Sequence, residues 1–283
     1  MFKRWCKEQK FNNATNLSHV LMDGGVLSVP FDKLNIFYEK YIKAIESGEK
    51  LFIVEQKSDV YNFFVDIDYK DDQPMTMSEI RDVCKIICDK VKRHGGRDCL
   101  ISVAPPKMIG DLVKTGIHMN WYGYVVDQSS ALALRDHILI ALSTVKSSMD
   151  WNEIIDVSVY GSFDRKTKGS GLRMPWSHKM AKHIPCGGQG CELCDKGKIV
   201  QAAYLPVFMY TPEPLSTLMR IDQTPSIKIL SLSAVRTNEV QHVNIEPPSI
   251  VIKEGTFTEA QTKDELHNNQ LKEMIEEFIQ ENL

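Results

Sequence analysis

Asn62-Phe63-Phe64-Val65-Asp66-Ile67-Asp68 is an apolar run that carries two carboxylates spaced two residues apart. In a β-strand successive side chains point to opposite faces, so Phe63, Val65 and Ile67 turn into a core while Asp66 and Asp68 share the other face. Two ionised carboxylates side by side in a mostly buried strand repel each other and are costly to desolvate unless a cation lies between them. Two readings are open at this point: a metal platform, or a strand end whose acids face water.

The elements around this strand alternate helix and strand. Downstream, Thr76-Met77-Ser78-Glu79 is a capping-box pattern, and Ile80, Val83, Ile86, Ile87 and Val91 continue one helical face to Gly95-Gly96. Cys84 and Cys88 fall on or beside that face, the usual place of small core thiols. Cys99–Ala104 and Gly116–Asp127 read as strands, and Ser129 opens a helix with Leu132, Leu134, Ile138, Leu142 and Val145 as its stripe. Asp150–Tyr160 returns to β, with Asp156 set among Ile154, Ile155, Val157 and Val159. Upstream, Phe31, Leu34, Phe37, Tyr38, Tyr41, Ile42 and Ile45 keep helical spacing until Gly48, and Leu51–Glu55 is a short strand. Residues 1–29 give no period beyond a short strand near Val26–Val29. Strands are expected at Ile199–Met209 and Ser226–Leu232, with a short helix begun by Thr211-Pro212 between them. Residues 233–260 read as a linker or extended arm. Residues 261–283 read as an amphipathic helix with no stop signal, as in a chain that continues into a further region.

Composition narrows the function classes. With 43% hydrophobic and 25% charged residues, the 283-residue chain can build a large core. A formal net charge of -3 excludes a protein that coats nucleic acid by bulk charge, so such binding needs a local basic patch. Residues 161–182 supply one: Arg165, Lys166, Lys168, Arg173, Lys179 and Lys182 stand against the single acid Asp164. The alternative is a solvated surface loop. There is no 18-residue apolar run and no leader-like N-terminal stretch, so the expected setting is intracellular and non-secreted, with no membrane partner.

Asp156 has the same apolar setting as Asp66 and Asp68. Three carboxylates on adjacent strands are what a two-metal phosphoryl-transfer site needs, since hard Mg²⁺ or Mn²⁺ takes oxygen ligands. His118, in Thr115-Gly116-Ile117-His118, stands at a strand start from which an imidazole reaches phosphate or serves as a structural hydrogen-bonding residue. Arg173 and Lys179 can neutralise triphosphate charge. Of the seven cysteines, Cys186, Cys191 and Cys194 crowd together behind His183. Three thiols at this spacing can converge on Zn²⁺, with His183 as the nearest fourth ligand and His178 the next. An iron–sulfur centre completed by a distant cysteine, and unligated thiols, are the alternatives.

The order of these features, Asp-x-Asp on an apolar strand, a later x-x-His, an apolar Asp followed by Val-Tyr, then a basic loop with Arg173 and Lys179, resembles the archaeo-eukaryotic primase superfamily. It is most similar to the primase-polymerase branch and to the primase domains of large DNA virus primase-helicases, over about residues 30–210. The resemblance implies that Asp66, Asp68 and Asp156 hold two catalytic Mg²⁺ or Mn²⁺ ions. It also implies that Lys114, His118, Arg173 and Lys179 contact the incoming nucleotide. Gly116 departs from the pattern, standing where the second motif often has Ser, which removes one phosphate contact.

The expected fold is α+β: a central mixed or antiparallel sheet with packed helices, an RRM-like catalytic half, an N-terminal α/β unit and an embedded zinc knuckle at about residues 178–198, within a catalytic domain of residues 1–232. The expected function is priming or primer extension on a single-stranded DNA template with NTP or dNTP. Arg165, Lys166, Lys168 and Lys182 would face nucleic acid, and structural Zn²⁺ would sit on Cys186, Cys191, Cys194 and His183. A helicase domain in the same full-length chain and, for a viral protein, the site of viral DNA replication follow from the same resemblance. A metal-dependent nuclease and a non-catalytic, zinc-stabilised single-strand-binding module are the alternatives.

Overall fold

The computed structural model describes residues 1–182 and 198–249. Its strands are β1 (His19–Leu21), β2 (Val26–Leu27), β3 (Ile53–Glu55), β4 (Tyr61–Asp71), β5 (Cys99–Val103), β6 (Lys107–Ile109), β7 (Leu112–Val126), β8 (Leu172–Arg173), β9 (Lys179–Lys182), β10 (Lys198–Gln201), β11 (Leu205–Thr211) and β12 (Thr217–Arg220). The helices among the described residues are α1 (Phe2–Glu8), α2 (Leu34–Glu46), α3 (Met77–Arg93), α4 (Gln128–Val145), α5 (Trp151–Ile154) and α6 (Ile227–Leu232).

The alternation read from the Asp-x-Asp stretch holds. Phe63, Val65 and Ile67 are fully buried, and Met119 and Ile117, the β7 residues opposite Val65 and Ile67, are equally closed. β4 lies at one edge of a six-stranded sheet ordered β12-β11-β5-β7-β4, with β6 also on β7. Every ladder in this sheet is antiparallel, which settles the choice between mixed and antiparallel. α3 carries the chain from β4 to β5 while β7 lies between them, the split β-α-β order. Thr76 starts α3 with the expected capping box, its hydroxyl accepting from the Glu79 amide while the Glu79 carboxylate accepts from the Thr76 amide at 2.7 Å. After α4 the chain returns beside β4, where a fourth strand would lie, through one bridge between Ile67 and Ile155.

A second antiparallel sheet, β2-β1-β3-β8, packs with α1 and α2. Its core joins Phe2, Phe37, Tyr41 and Ile53 to Leu100 of the large sheet. Residues 233–246 run along β4 and β7. The Asn62 amide donates to the Val235 carbonyl at 2.9 Å, and the Val243 amide donates to the Val125 carbonyl at 2.9 Å.

Several expectations fail for identifiable reasons. Asp150–Tyr160 is not a strand: it folds as α5, the Ile155 bridge and a 3₁₀ turn at Val157–Val159. Asp150 accepts from the amides of Asn152 and Glu153, and Asp156 from that of Ser158, so local side-chain bonds override the β-branched composition. Ser226–Leu232 is a helix, because the Ser226 hydroxyl accepts from the Ile229 amide as its N-cap. The segment after Thr211 pairs back as β12 instead of forming a helix, and Ile199–Met209 splits into β10 and β11. Residues 161–182 are not all loop, since Leu172–Arg173 and Lys179–Lys182 form β8 and β9. Residues 2–8 form α1, whose Phe2 amide and the Met1 ammonium before it both donate to Glu49, a partner too distant in sequence to leave a local pattern. The zinc-ligand candidates His183, Cys186, Cys191 and Cys194, and the expected C-terminal helix, lie outside the described residues.

Candidate active site

The acid-bearing face of β4 is covered at one end and open at the other. At the covered end, Asn62 Nδ2 donates to the Ala234 carbonyl at 2.9 Å, and Asn120 Nδ2, opposite Phe64, donates to the Ser233 carbonyl at 3.0 Å. Further along, Asp66 and Asp68 face a cleft of about 490 Å³. Asp156, Lys114, His118, Arg173 and Lys179 line the same cleft, so seven residues singled out in the sequence meet in one place.

The ladder explains part of this convergence. Asp66 lies opposite His118, and Asp68 opposite Gly116, so these side chains share a face. Asp156 arrives differently, on the connection after α5 and not on an adjacent strand as expected. Its amide donates to the Asp66 carbonyl at 3.0 Å. Arg135 of α4, only 4% exposed, donates to the carbonyls of Asn152 at 2.7 Å and Ile155 at 2.8 Å, while Tyr160 Oη donates to the Phe64 carbonyl at 2.7 Å. The acid is therefore clamped on both sides. Arg173 is brought in by β8, which pairs with β3. That approach requires glycine at 171, where a Cβ would strike the Glu55 carbonyl.

The electrostatics are those of crowded like charges beside crowded opposite charges. Burial, then Asp68 and Asp156, hold the Asp66 carboxyl well above the usual carboxylate range. Its buried Oδ1 has no hydrogen-bond partner, and His118 Nε2 at 3.6 Å is too far to supply one. Burial, followed by Arg173 and Lys114, pushes His118 well below its ordinary value, so this imidazole is neutral and does not form an ion pair with Asp66. Lys114 Nζ closes on the Asp68 carboxylate. Lys107, which the sequence reading missed, also lines the cleft and is pushed down to about 8 by burial and then by Lys114, Lys179 and Arg173. A second missed residue is Tyr204, whose ring stacks on His118 with centroids 3.4 Å apart. Neither belongs to a local pattern: Lys107 follows two prolines in a loop-like stretch, and Tyr204 sits between strands.

Three more residues of the basic patch are elsewhere. Arg165, Lys166 and Lys168 are exposed around the turn closed by Ser162 and Thr167 and do not line the cleft, and Lys168 pairs with Asp59 at 2.6 Å. Lys182 closes β9.

Among the described residues, no three His, Cys, Asp or Glu side chains close on one point as a complete ligand set. The donors present still fit a hard divalent cation of the kind held by one or two carboxylates with substrate phosphate and water completing its shell. An orphaned buried carboxylate oxygen at Asp66, with two further acids raising its proton affinity, is a local excess of negative charge that such an ion relieves.

A family model described as the C962R protein N-terminal AEP domain matches residues 18–185, which include both acids of β4, His118, Asp156, Arg173 and Lys179. No curated protein matches the chain.

Proposed function

Because the chain belongs to the family of C962R N-terminal AEP domains, an archaeo-eukaryotic primase family of viral primase-helicases, we propose that its cleft primes or extends DNA on a single-stranded template. At the family level this is nucleotidyl transfer, with nucleotide and nucleic acid as substrates. The observation that carries the finer reading is the meeting of Asp66, Asp68 and Asp156 with Lys114, Arg173, Lys179 and Lys107 in one cleft. Acids without a cation would repel a triphosphate, and cations without the acids would only bind it.

In this reading Asp66, Asp68 and Asp156 hold Mg²⁺ or Mn²⁺. When bound, such ions offset phosphate charge and lower the proton affinity of the attacking hydroxyl. Arg173, Lys179, Lys107 and Lys114, the last of these resting against Asp68, would gather the triphosphate oxygens. Neutral His118, whose ring bonds to the Arg173 backbone, would stand beside the phosphates without adding charge. The primer 3′-hydroxyl gives up its proton to solvent as its oxygen bonds to the α-phosphorus, the bond from that phosphorus to the bridging oxygen breaks, and pyrophosphate departs. The order of β4 to α4, β-α-β-β-α apart from the short β6 that pairs only with β7, supports an RRM-like catalytic half. Cys186, Cys191, Cys194 and His183 are proposed zinc ligands on their spacing alone. Arg165, Lys166 and Lys168, which lie outside the cleft, and Lys182 are proposed to meet nucleic acid. Among the described residues, no helix is long and apolar enough to cross a membrane.

The test replaces Asp66 and Asp68 singly with Asn. Primer synthesis and extension on single-stranded DNA with Mn²⁺ and nucleotides should fall at least about a hundredfold in folded variants, as for other losses of charge-stabilising groups at a reacting centre. Undiminished activity would sink the assignment. Shortening of labelled strands without nucleotides would replace it with a nuclease.

A further inference from the structure

Tyr204 lies outside the span matched by the family model, yet the cationic wall of the cleft is packed around it. It is 3% exposed, in the connection between β10 and β11. Its ring is stacked on the His118 imidazole at an interplanar angle of 22°, and the Arg173 guanidinium carbon stands 4.5 Å from the ring centroid. Arg173 Nη1 donates to the Ala202 carbonyl at 3.1 Å, and the Trp176 amide donates to the Tyr204 carbonyl at 2.8 Å, so the connection is tied to the cleft wall on both sides of the ring. The hydroxyl fills the space above Gly116. A Cβ at that position would collide with Tyr204 Oη and lie 3.1 Å from the ring carbon that bears it.

We propose that Tyr204 is a positioning residue for the triphosphate: it holds the Arg173 guanidinium and the His118 imidazole ready at the cleft wall, and glycine at position 116 is what admits its hydroxyl. The identity of the ligand rests on the nucleotidyl-transfer reading; the packing does not. An arginine reaching freely into a cleft loses side-chain entropy when it grips phosphate, whereas one already stacked on an aromatic face has lost much of it before the ligand arrives. The planar stack likewise fixes the plane of His118, whose ring also bonds to the Arg173 backbone. The departure at Gly116 thus acquires a reason: a residue with any side chain there would displace the ring that orders two phosphate-facing groups.

The experiment measures binding of inorganic tripolyphosphate, and of a nucleoside triphosphate with Mg²⁺, to the full chain by calorimetry, with thermal melts for every variant. Tyr204→Leu should weaken both ligands about tenfold, the scale of one desolvated cation–π contact. Tyr204→Phe, which keeps the ring, should give an intermediate loss. Gly116→Ala should weaken binding by pushing the hydroxyl away, and adding Tyr204→Phe should bring binding back to the level of Tyr204→Phe alone. In primer extension the same variants should raise KM for nucleotide more than they lower kcat. Wild-type affinity in a folded Tyr204→Leu variant overturns the proposal, and so does a double variant no better than Gly116→Ala alone. If Tyr204→Leu does not fold, the Gly116 pair decides. A wild-type chain that binds triphosphate but makes no primer removes the priming reading and leaves the positioning role to be judged by binding.

Discussion

At the scale of single residues, the acids of this protein fall into two kinds. Asp66 is crowded by Asp68 and Asp156 in an open cleft, where an arriving cation offsets the repulsion. Glu55 is sealed: 2% exposed, it accepts from the Val235 amide at 2.6 Å while its Oε1 has no partner. Burial raises its carboxyl from 4.5 to about 7, with the Val235 amide and Arg236 only partly compensating. A carboxyl raised on folding contributes stability that is fully present below about 4.5 and is lost as pH climbs through about 7. Glu55→Gln keeps an acceptor and removes the charge. It should therefore raise unfolding stability by about 2–3 kcal/mol at pH 8 and change it little at pH 4.5, the scale set by 1.36 kcal/mol per pKa unit. Urea unfolding at the two pH values checks this, and an equal effect at both would show that Glu55 is not the group that titrates.

At the scale of elements, the site depends on how two connections are held. The crossover helix α3 is started by the reciprocal bonds of Thr76 and Glu79. Thr76→Ala should cost about 1 kcal/mol of stability without changing the affinity for nucleotide, since Thr76 does not line the cleft. The connection bearing Asp156 is held by Arg135, which spans from α4 to the carbonyls of Asn152 and Ile155. Arg135→Met keeps the aliphatic volume and leaves those carbonyls without their donor, so it should cost about 2–4 kcal/mol. It should also lower primer extension more than Thr76→Ala does, because Asp156 loses its clamp. Denaturation curves and extension rates on the two variants separate the effects. The sequence hid this clamp because Arg135 and Asn152–Ile155 are joined only by the fold.

At the scale of the whole molecule, charge is segregated. The chain is acidic overall, at a formal -3, yet Lys107, Lys114, Arg173 and Lys179 line one cleft. Binding of single-stranded DNA should therefore be local and salt-dependent. The slope of log K against log salt should be about -0.7 for each phosphate contacted, and the Arg165→Ala/Lys166→Ala double variant, changed outside the cleft, should shrink it by more than 1. Titrations of a labelled oligonucleotide at several salt concentrations measure it, and a slope unchanged in the double variant would place the strand elsewhere. The basic turn at Arg165–Lys168 read as part of the same patch in sequence, but Lys168 spends its charge on Asp59 outside the cleft. Nearness along the chain did not mean a shared surface.

Much was legible before the fold was known, where the signal is local. The alternation Phe63-Phe64-Val65-Asp66-Ile67-Asp68 specifies a strand with acids on one face, because the two-residue period of a strand belongs to the backbone itself. The capping box at Thr76, the buried stripes of α2 and α3 and the Leu134, Ile138 and Leu142 part of the α4 stripe are likewise properties of short windows, whereas Val145, read into that stripe, is 63% exposed at the helix end. What only the tertiary structure decided is which residues meet. Asp156 reached Asp66 from a capped turn and not from a strand, since Asp150 and Asp156 bind their own backbone in preference to a ladder. Tyr204 reached His118 and Gly116 across more than eighty residues, a juxtaposition with no period and no motif. The sequence by itself determined the strand and the acids upon it; the sheet register and the two clamped connections determined that those acids face four cations across one cleft.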